Sequence, residues 1–421
     1  MTAASLTGAD GFLARYEDLR DRLPGDRATR DAAAEAFRRA GLPGRRVEAW
    51  KYTDLRPVAS AAFHEPLNLA AGCADLLARV PHIDAPRLVF VDGRFRDDLS
   101  TMPAHVSFFR FADRPDFGDL VRPDLEPIAA LNTMLTEDGA ILHAPLGLDA
   151  GLVHLVSLAT GSTVAASDFY PRHVITVSPG ARLTVLETAI GDGSYLHAPV
   201  IELHVAAGAS LTHIRLQDES IGAFSLSTLY AEVAERGTYD SFTLNLGSRM
   251  ARTEVHARLA GPGATTHLNG AQLLSGTQHA DFTTVVRHDA PHGTSRQTVK
   301  NVLAGRSRGV FQGRIEVARH AQKTDGYQMS QSLLLSPDAE VDTKPELEIF
   351  ADDVKCSHGA TVGELDNEQL FYLRSRGIPD AEARSMLVRA FLAEALDAVS
   401  HEQARAVLEA AVEGWWQRQA A

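Results

Sequence analysis

Between residues 172 and 270 the chain repeats one plan four times, and this repetition restricts the fold more than any other feature. "RHVITVSPGARLTVLE", "VIELHVAAGASLTHIRL", "LYAEVAERGTYDSFTLNL" and "TEVHARLAGPGATTHLNG" each read as a strand, a short turn ending in glycine, and a second strand. The turn glycines Gly180, Gly208, Gly237 and Gly263 lie 28, 29 and 26 residues apart. A unit of this size cannot bury its own apolar face, so neighbours must stack, as in a β-helix. The strand-turn-strand content disfavours a leucine-rich array, while an ordinary β-sandwich stays open at this point.

The flanks follow a different period. "FLARYEDLRDRL" and "TRDAAAEAFRRAGL" carry apolar residues at helical spacing, and "LEPIAALNTML" reads as a further helix. "RLVFVDGRFRDD" predicts a hairpin turning at Asp92-Gly93. After residue 364 the helical period returns. Leu387, Phe391 and Ala395, with Leu392, Leu396 and Val399 beside them, predict an amphipathic helix capped by Asp380. "EQARAVLEAAVEGWWQRQ" follows as a second helix, with Trp415 and Trp416 expected to pack on the chain's own core. The expected division is an N-terminal helical and mixed region (1–135), a β-helix core (136–363) and a C-terminal helical region (364–421).

Composition narrows the function. A net charge of −13 argues against a general grip on nucleic acid or acidic lipid. The basic run from Arg296 to Arg319 is read as solvated turns. Two cysteines, Cys73 and Cys356, cannot supply a four-thiolate site. The first 22 residues lack the apolar core of a signal peptide, and no apolar run reaches the roughly 18 residues of a membrane span. The expectation is a cytoplasmic protein.

Catalytic motifs are scarce. No G-x-x-x-x-G-K-[ST] phosphate loop occurs. "GRSRG" at 305–309 matches G-x-S-x-G, but the strand-like "VFQGRIEV" follows where a nucleophile elbow needs a helix. Of 17 histidines, 13 lie between His143 and His358, and none forms H-x-H, which weakens a cupin-like metal barrel. His288 and His292 are four apart, but Pro291 prevents a helix between them. The informative stretch is "DDVKCSHGATVGELD". On a strand, Cys356 and His358 face the same side at a Cα separation of roughly 6.5 Å, close enough to share an ion. Glu346, Glu348, Asp352 and Asp353 stand upstream as oxygen donors. Two soft ligands make half a tetrahedral site, so a second chain would have to complete it. A buried thiol beside a structural histidine is the competing reading.

"RRVEAWKYTDLRP", "PELEIFADDVKCSHGATVGELD" and "EQLFYLRSRGIPDAEARSMLVRAFLAE" together resemble the SufB/SufD family, whose members belong to the SufBCD iron–sulfur cluster assembly complex. The resemblance runs from the first helices to the last pair. Cysteine poverty, "CSHG" in place of an "EHEA"-like pair, and "SQSLLL" without a thiol at Ser330 to Leu334 point to the SufD branch. The resemblance implies a mainly β fold, a flattened right-handed parallel β-helix between helical ends, acting as a non-catalytic scaffold. It implies a SufB-like paralogue at the β-helix edge and a SufC-like ABC ATPase on the C-terminal helices, where Gln369, Phe371, Tyr372 and Arg376 are the candidate contacts. It also implies a transient iron–sulfur cluster or iron at the junction, held by His358 and Cys356. A cysteine desulfurase or sulfur carrier, a reduced flavin on the complex, and a homodimer of the isolated chain are further expectations. The rival readings are a protein-interaction solenoid without metal chemistry and a β-helix enzyme acting on polysaccharide.

Overall fold

The computed structural model describes residues 7–66 and 73–420; the leader reading for residues 1–6 lies outside them. Among the described residues, eight α-helices flank two long sheets: α1 (Gly8–Leu19), α2 (Arg27–Ala40), α3 (Arg56–Ala59), α4 (Cys73–Arg79), α5 (Pro127–Leu135), α6 (Asn367–Ser375), α7 (Asp380–Leu396) and α8 (Glu402–Ala420). None is long and apolar enough to cross a membrane.

The chain alternates between the two sheets at every strand of the repeat. One sheet runs from Arg172–Val177 through Val200–Val205, Phe224–Val233, Met250–Leu259, His279–His288 and Arg308–Val317 to Glu340–Ile349. The other runs from Arg182–Asp192 through Ser210–Asp218, Thr238–Asn245, Thr265–Leu274, Thr294–Leu303 and Asp325–Leu334 to Lys355–Glu364. All of these neighbours pair in parallel, which removes the sandwich and leaves a β-solenoid of about 8 turns. Ala140–Ala144, Asp149–Thr160, Arg87–Val91 and Ser107–Arg110 start the two sheets, so the N-terminal region contributes strands as well as helices. The 91–94 hairpin turns at Asp92 and Gly93, both at positive φ.

Alternation along each strand builds the layers. Inward residues such as Ile201, Leu229, Val255, Phe282 and Phe311 fill the space between the sheets. Outward residues of the first sheet, including Phe224, Leu226 and Met250, meet α1, α2 and α5. Outward residues of the second sheet, including Ile214, Leu216, Phe242 and Leu273, meet α7 and α8. The C-terminal helices therefore lie along the flank of the solenoid rather than on its end. Trp415 is fully buried there beside Trp416, as expected.

Four local expectations change. The left-handed turn position of the third repeat is Arg236, not Gly237. The equivalent series is Gly180, Gly208, Arg236, Gly263, His292 and Lys323, at intervals of 27 to 31 residues. Asp380 does not cap α7: it sits inside the first turn and pairs with Arg384. The buried stripe of α7 is Val388, Leu392, Ala395 and Leu396, with Leu387 and Phe391 at its margin. The basic run is largely on strands and paired: Arg296 with Asp325, Arg308 with Asp342, and buried Lys300 with Glu394 and the Phe391 carbonyl.

Candidate site at the open end of the solenoid

Lys355–Glu364 is the last strand of its sheet, hydrogen-bonded to Asp325–Leu334 on one side and unpaired on the other. It carries both Cys356 and His358. Cys356 stands in register with Gly326 and His358 with Gln328, whose buried side chain faces the solenoid interior, so the two residues point into the mouth of the stack. The thiol packs beside Gly326, where a Cβ would lie 3.4 Å from Sγ and 3.2 Å from Ile315 Cδ1. Among the described residues no further turn covers this end. Cys356 is half-buried against the interior core, and His358 is exposed.

Burial pushes the Cys356 thiol up, assisted by the charge of Asp325 and opposed by a hydrogen bond from the Gly326 backbone. At neutral pH the sulfur keeps its proton until a metal ion or a cationic neighbour displaces it. Behind His358, Gln328 is fully buried with neither its carboxamide oxygen nor its nitrogen partnered, and the Ser330 hydroxyl is also unpaired. Unpaired buried polar atoms are costly, so they mark a place where a ligand or water is expected. Sequence reading missed Gln328 and Ser330. No sequence pattern marks them, because the same inward column already holds Gln297, Ser241 and His213 on earlier turns.

The upstream carboxylates do not join this pair. Glu346 and Glu348 lie on the opposite sheet and face outward, where Glu346 meets Lys344 and Glu348 stands 3.9 Å from Arg314. Asp353 pairs with Lys323 in the loop before the strand, and Asp352 is exposed in the same loop. Ile349, Phe350 and Val362 are exposed around the open end, Phe350 at 64%.

The four residues expected to meet a partner sit on or just after α6. Asp366 caps this helix, accepting from the Glu368 and Gln369 backbone nitrogens. Only Leu370 is buried; Phe371 is 72% and Tyr372 57% exposed, and Arg376 stacks on the Tyr372 ring at 5.1 Å. Gln369, Phe371 and Tyr372 line a shallow cavity with Leu373 and Leu387. Helix α6 thus presents two aromatic rings to solvent, not to the solenoid. The rejected motif at 305–309 turns into the strand Arg308–Val317, and His288 and His292 end a strand and occupy a turn.

The family model described as SUF system FeS cluster assembly, SufBD core domain, matches residues 159–391. A second, the SufBD protein N-terminal region, matches residues 24–150. The iron-sulfur cluster assembly protein SufD of Escherichia coli is 35% identical over 86% of this chain and 87% of its own length. A SufBD family protein of Synechocystis is 30% identical over 88% of the chain and 86% of its own length. A chloroplastic protein of Arabidopsis thaliana, ABCI7, is 30% identical over 89% of the chain and 83% of its own length.

Proposed function

This chain belongs to the SufBD family of the SUF iron–sulfur cluster assembly system, and from that premise we propose that it is a non-catalytic scaffold subunit whose open solenoid end holds a nascent cluster together with a second chain. One observation carries the reading: Cys356 and His358 share an unpaired terminal strand ringed by exposed apolar residues. Free backbone N–H and C=O groups on such an edge are a template for another strand. A SufB-like paralogue docking there supplies the missing ligands, and a half-built shell suits a cargo that must later be released.

In the same reading, the exposed Phe371–Tyr372 face of α6 receives a SufC-like ABC ATPase, with Gln369 and Arg376 at its rim. ATP chemistry belongs to that partner, sulfur arrives from a desulfurase or carrier through the complex, and a reduced flavin would bind the assembly rather than this chain. The setting is cytoplasmic. Without its partner, the edge favours self-pairing into a homodimer.

The test is cluster reconstitution by the complex purified with both partners. His358→Ala and Cys356→Ser should abolish, or reduce at least tenfold, the iron and sulfide retained, while leaving subunit stoichiometry unchanged. Wild-type cluster yield from the double variant in an intact complex would remove the site from the account.

A further inference from the structure

A second group of ligand-type side chains lies away from the open end, on the outward face of the first sheet. Glu254 and His256 alternate along Met250–Leu259, three strands from the terminal Glu340–Ile349. Glu126, immediately before α5, comes down on them from the N-terminal cap. Ligand atoms of the three residues all lie within 4.8 Å of one another. His256 Nε2 is 3.1 Å from Glu254 Oε1 and 4.0 Å from Glu126 Oε1.

The donors are held but not saturated. Arg252 donates from Nε and Nη2 to Glu254 Oε2, which fixes that carboxylate and leaves Oε1 facing the imidazole. The same arginine also serves Asp281, so one cation is shared between Asp281 and Glu254. Of the cations lining the cavity beside the group, Lys344 pairs with Glu48 and Glu346, and Arg314 stands 3.0 Å from Glu316. A cavity of about 270 Å³ opens beside the group, roofed by residues 47–49.

An independent observation points to a missing ligand. Tyr230, 6% exposed, stacks on the His256 ring at 4.9 Å and 9°, and its hydroxyl has no hydrogen-bond partner. Tyr230 stands in register with His256, and among charged groups Glu126 and Glu254 act on it most strongly, ahead of Arg172 and Glu202. A buried phenol without a partner is unusual. By contrast, the similar Asp119–Glu202–His204 group two strands away is closed: Glu202 already accepts from the Asp119 and Val121 backbone nitrogens as well as facing His204.

We propose that Glu126, Glu254 and His256 bind one divalent first-row metal ion, with the Tyr230 hydroxyl beside it and water from the cavity completing the shell. The ion replaces the proton that His256 Nε2 shares with Glu254. Two carboxylates and one imidazole, with no thiolate, select Zn²⁺, Mn²⁺ or Fe²⁺ over Cu⁺. Because Glu126 belongs to the cap and the other two ligands to the solenoid, the ion clamps one to the other. This site is independent of cluster handling at the open end.

The experiment uses the tag-free full chain stripped by chelator. Calorimetric titration of the Cys356→Ser, His358→Ala variant with Zn²⁺, which leaves only the second group, should show one ion per chain. Co²⁺ in the same variant should give weak d–d absorption without a thiolate charge-transfer band. In that background binding should fall at least about tenfold with Glu126→Gln and with His256→Gln. Tyr230→Phe, which removes a hydroxyl that bonds nothing, should leave the stability of the stripped protein unchanged yet weaken Zn²⁺ several-fold. In the Cys356→Ser, His358→Ala background, absence of stoichiometric binding, binding indifferent to both Glu126→Gln and His256→Gln, or a thiolate band from Co²⁺ each overturns the proposal. If Glu254→Gln fails to fold, the two less buried positions decide it.

Discussion

Single residues in this chain differ most in whether their polar atoms find partners. His154, His173 and His288 are buried, and desolvation pulls each imidazole down to about 4. Each is held neutral by one neutral partner: His154 by the Thr188 hydroxyl, His173 by the Ala140 amide, His288 by the Ser295 hydroxyl. In the unfolded chain these rings bind a proton near pH 6.5, so their contribution is complete above that value and is lost as pH falls toward 4. Each contributes up to about 3 kcal/mol, most of it gone by pH 4 and the rest below it. His213 and His279 shift the same way. His204 and His256 are raised and oppose the trend, since their support is present at low pH and fades as pH rises through their folded values. The thermal midpoint should therefore fall by several degrees from pH 7.5 to pH 5, and fall less in His173→Asn, which keeps an acceptor for Ala140. Equal midpoints at the two pH values would contradict this account. None of it was legible in the sequence, where the thirteen histidines between His143 and His358 looked alike. Alternation tells which face a ring takes, but the neighbour it meets comes from another turn.

At the scale of elements, the corners govern. Gly208 has φ +64° and open space where a methyl group would point, whereas Gly193 has φ +78° and a Cβ there would lie 2.2 Å from the Gly161 carbonyl oxygen. Gly208→Ala should cost about 1 kcal/mol, from backbone conformation alone. Gly193→Ala should cost at least about 2–3 kcal/mol, because backbone must move. Denaturant unfolding of the two variants separates them; equal losses would sink the steric argument. Strand positions, the Asp92-Gly93 hairpin and the terminal helices were readable from period and turn chemistry. The third corner was not, because Arg236 takes a left-handed conformation usually given to glycine, with Gly237 one place later as a decoy. Helix starts were also ambiguous: an acidic residue within the first turn and a true cap look the same until the backbone is placed. Asp366 caps α6, while Asp380 pairs with Arg384.

For the molecule as a whole, the solenoid has apolar outer flanks as well as an apolar interior. Helices α7 and α8 cover Ile214, Leu216, Phe242, Leu273 and Val302 on the second sheet. Truncation after Glu364 should leave the parallel strands formed but expose a contiguous apolar flank, far beyond the scattered exposure normal on a surface. The expected result is strand-rich circular dichroism with dye binding and high-mass species on size exclusion. A monodisperse, dye-negative fragment would mean that the helices are accessories and not part of the core. The open end is a separate liability. No described element of this chain covers it, although a helix or loop usually protects such an edge.

Periodicity by itself determined that strands stack, because an interval near 28 residues admits few other ways to bury the apolar face of each unit. It also placed Cys356 and His358 on one side of one strand. Only the tertiary structure decided that this strand is the last, that Glu346 and Glu348 turn away from it, and that Gln328 waits unpaired behind His358. Those facts depend on which turn lies next to which, and on where stacking stops. The same reason kept Glu126 apart from Glu254 and His256 in the sequence: a residue more than a hundred positions upstream meets them only when the cap closes over the sheet.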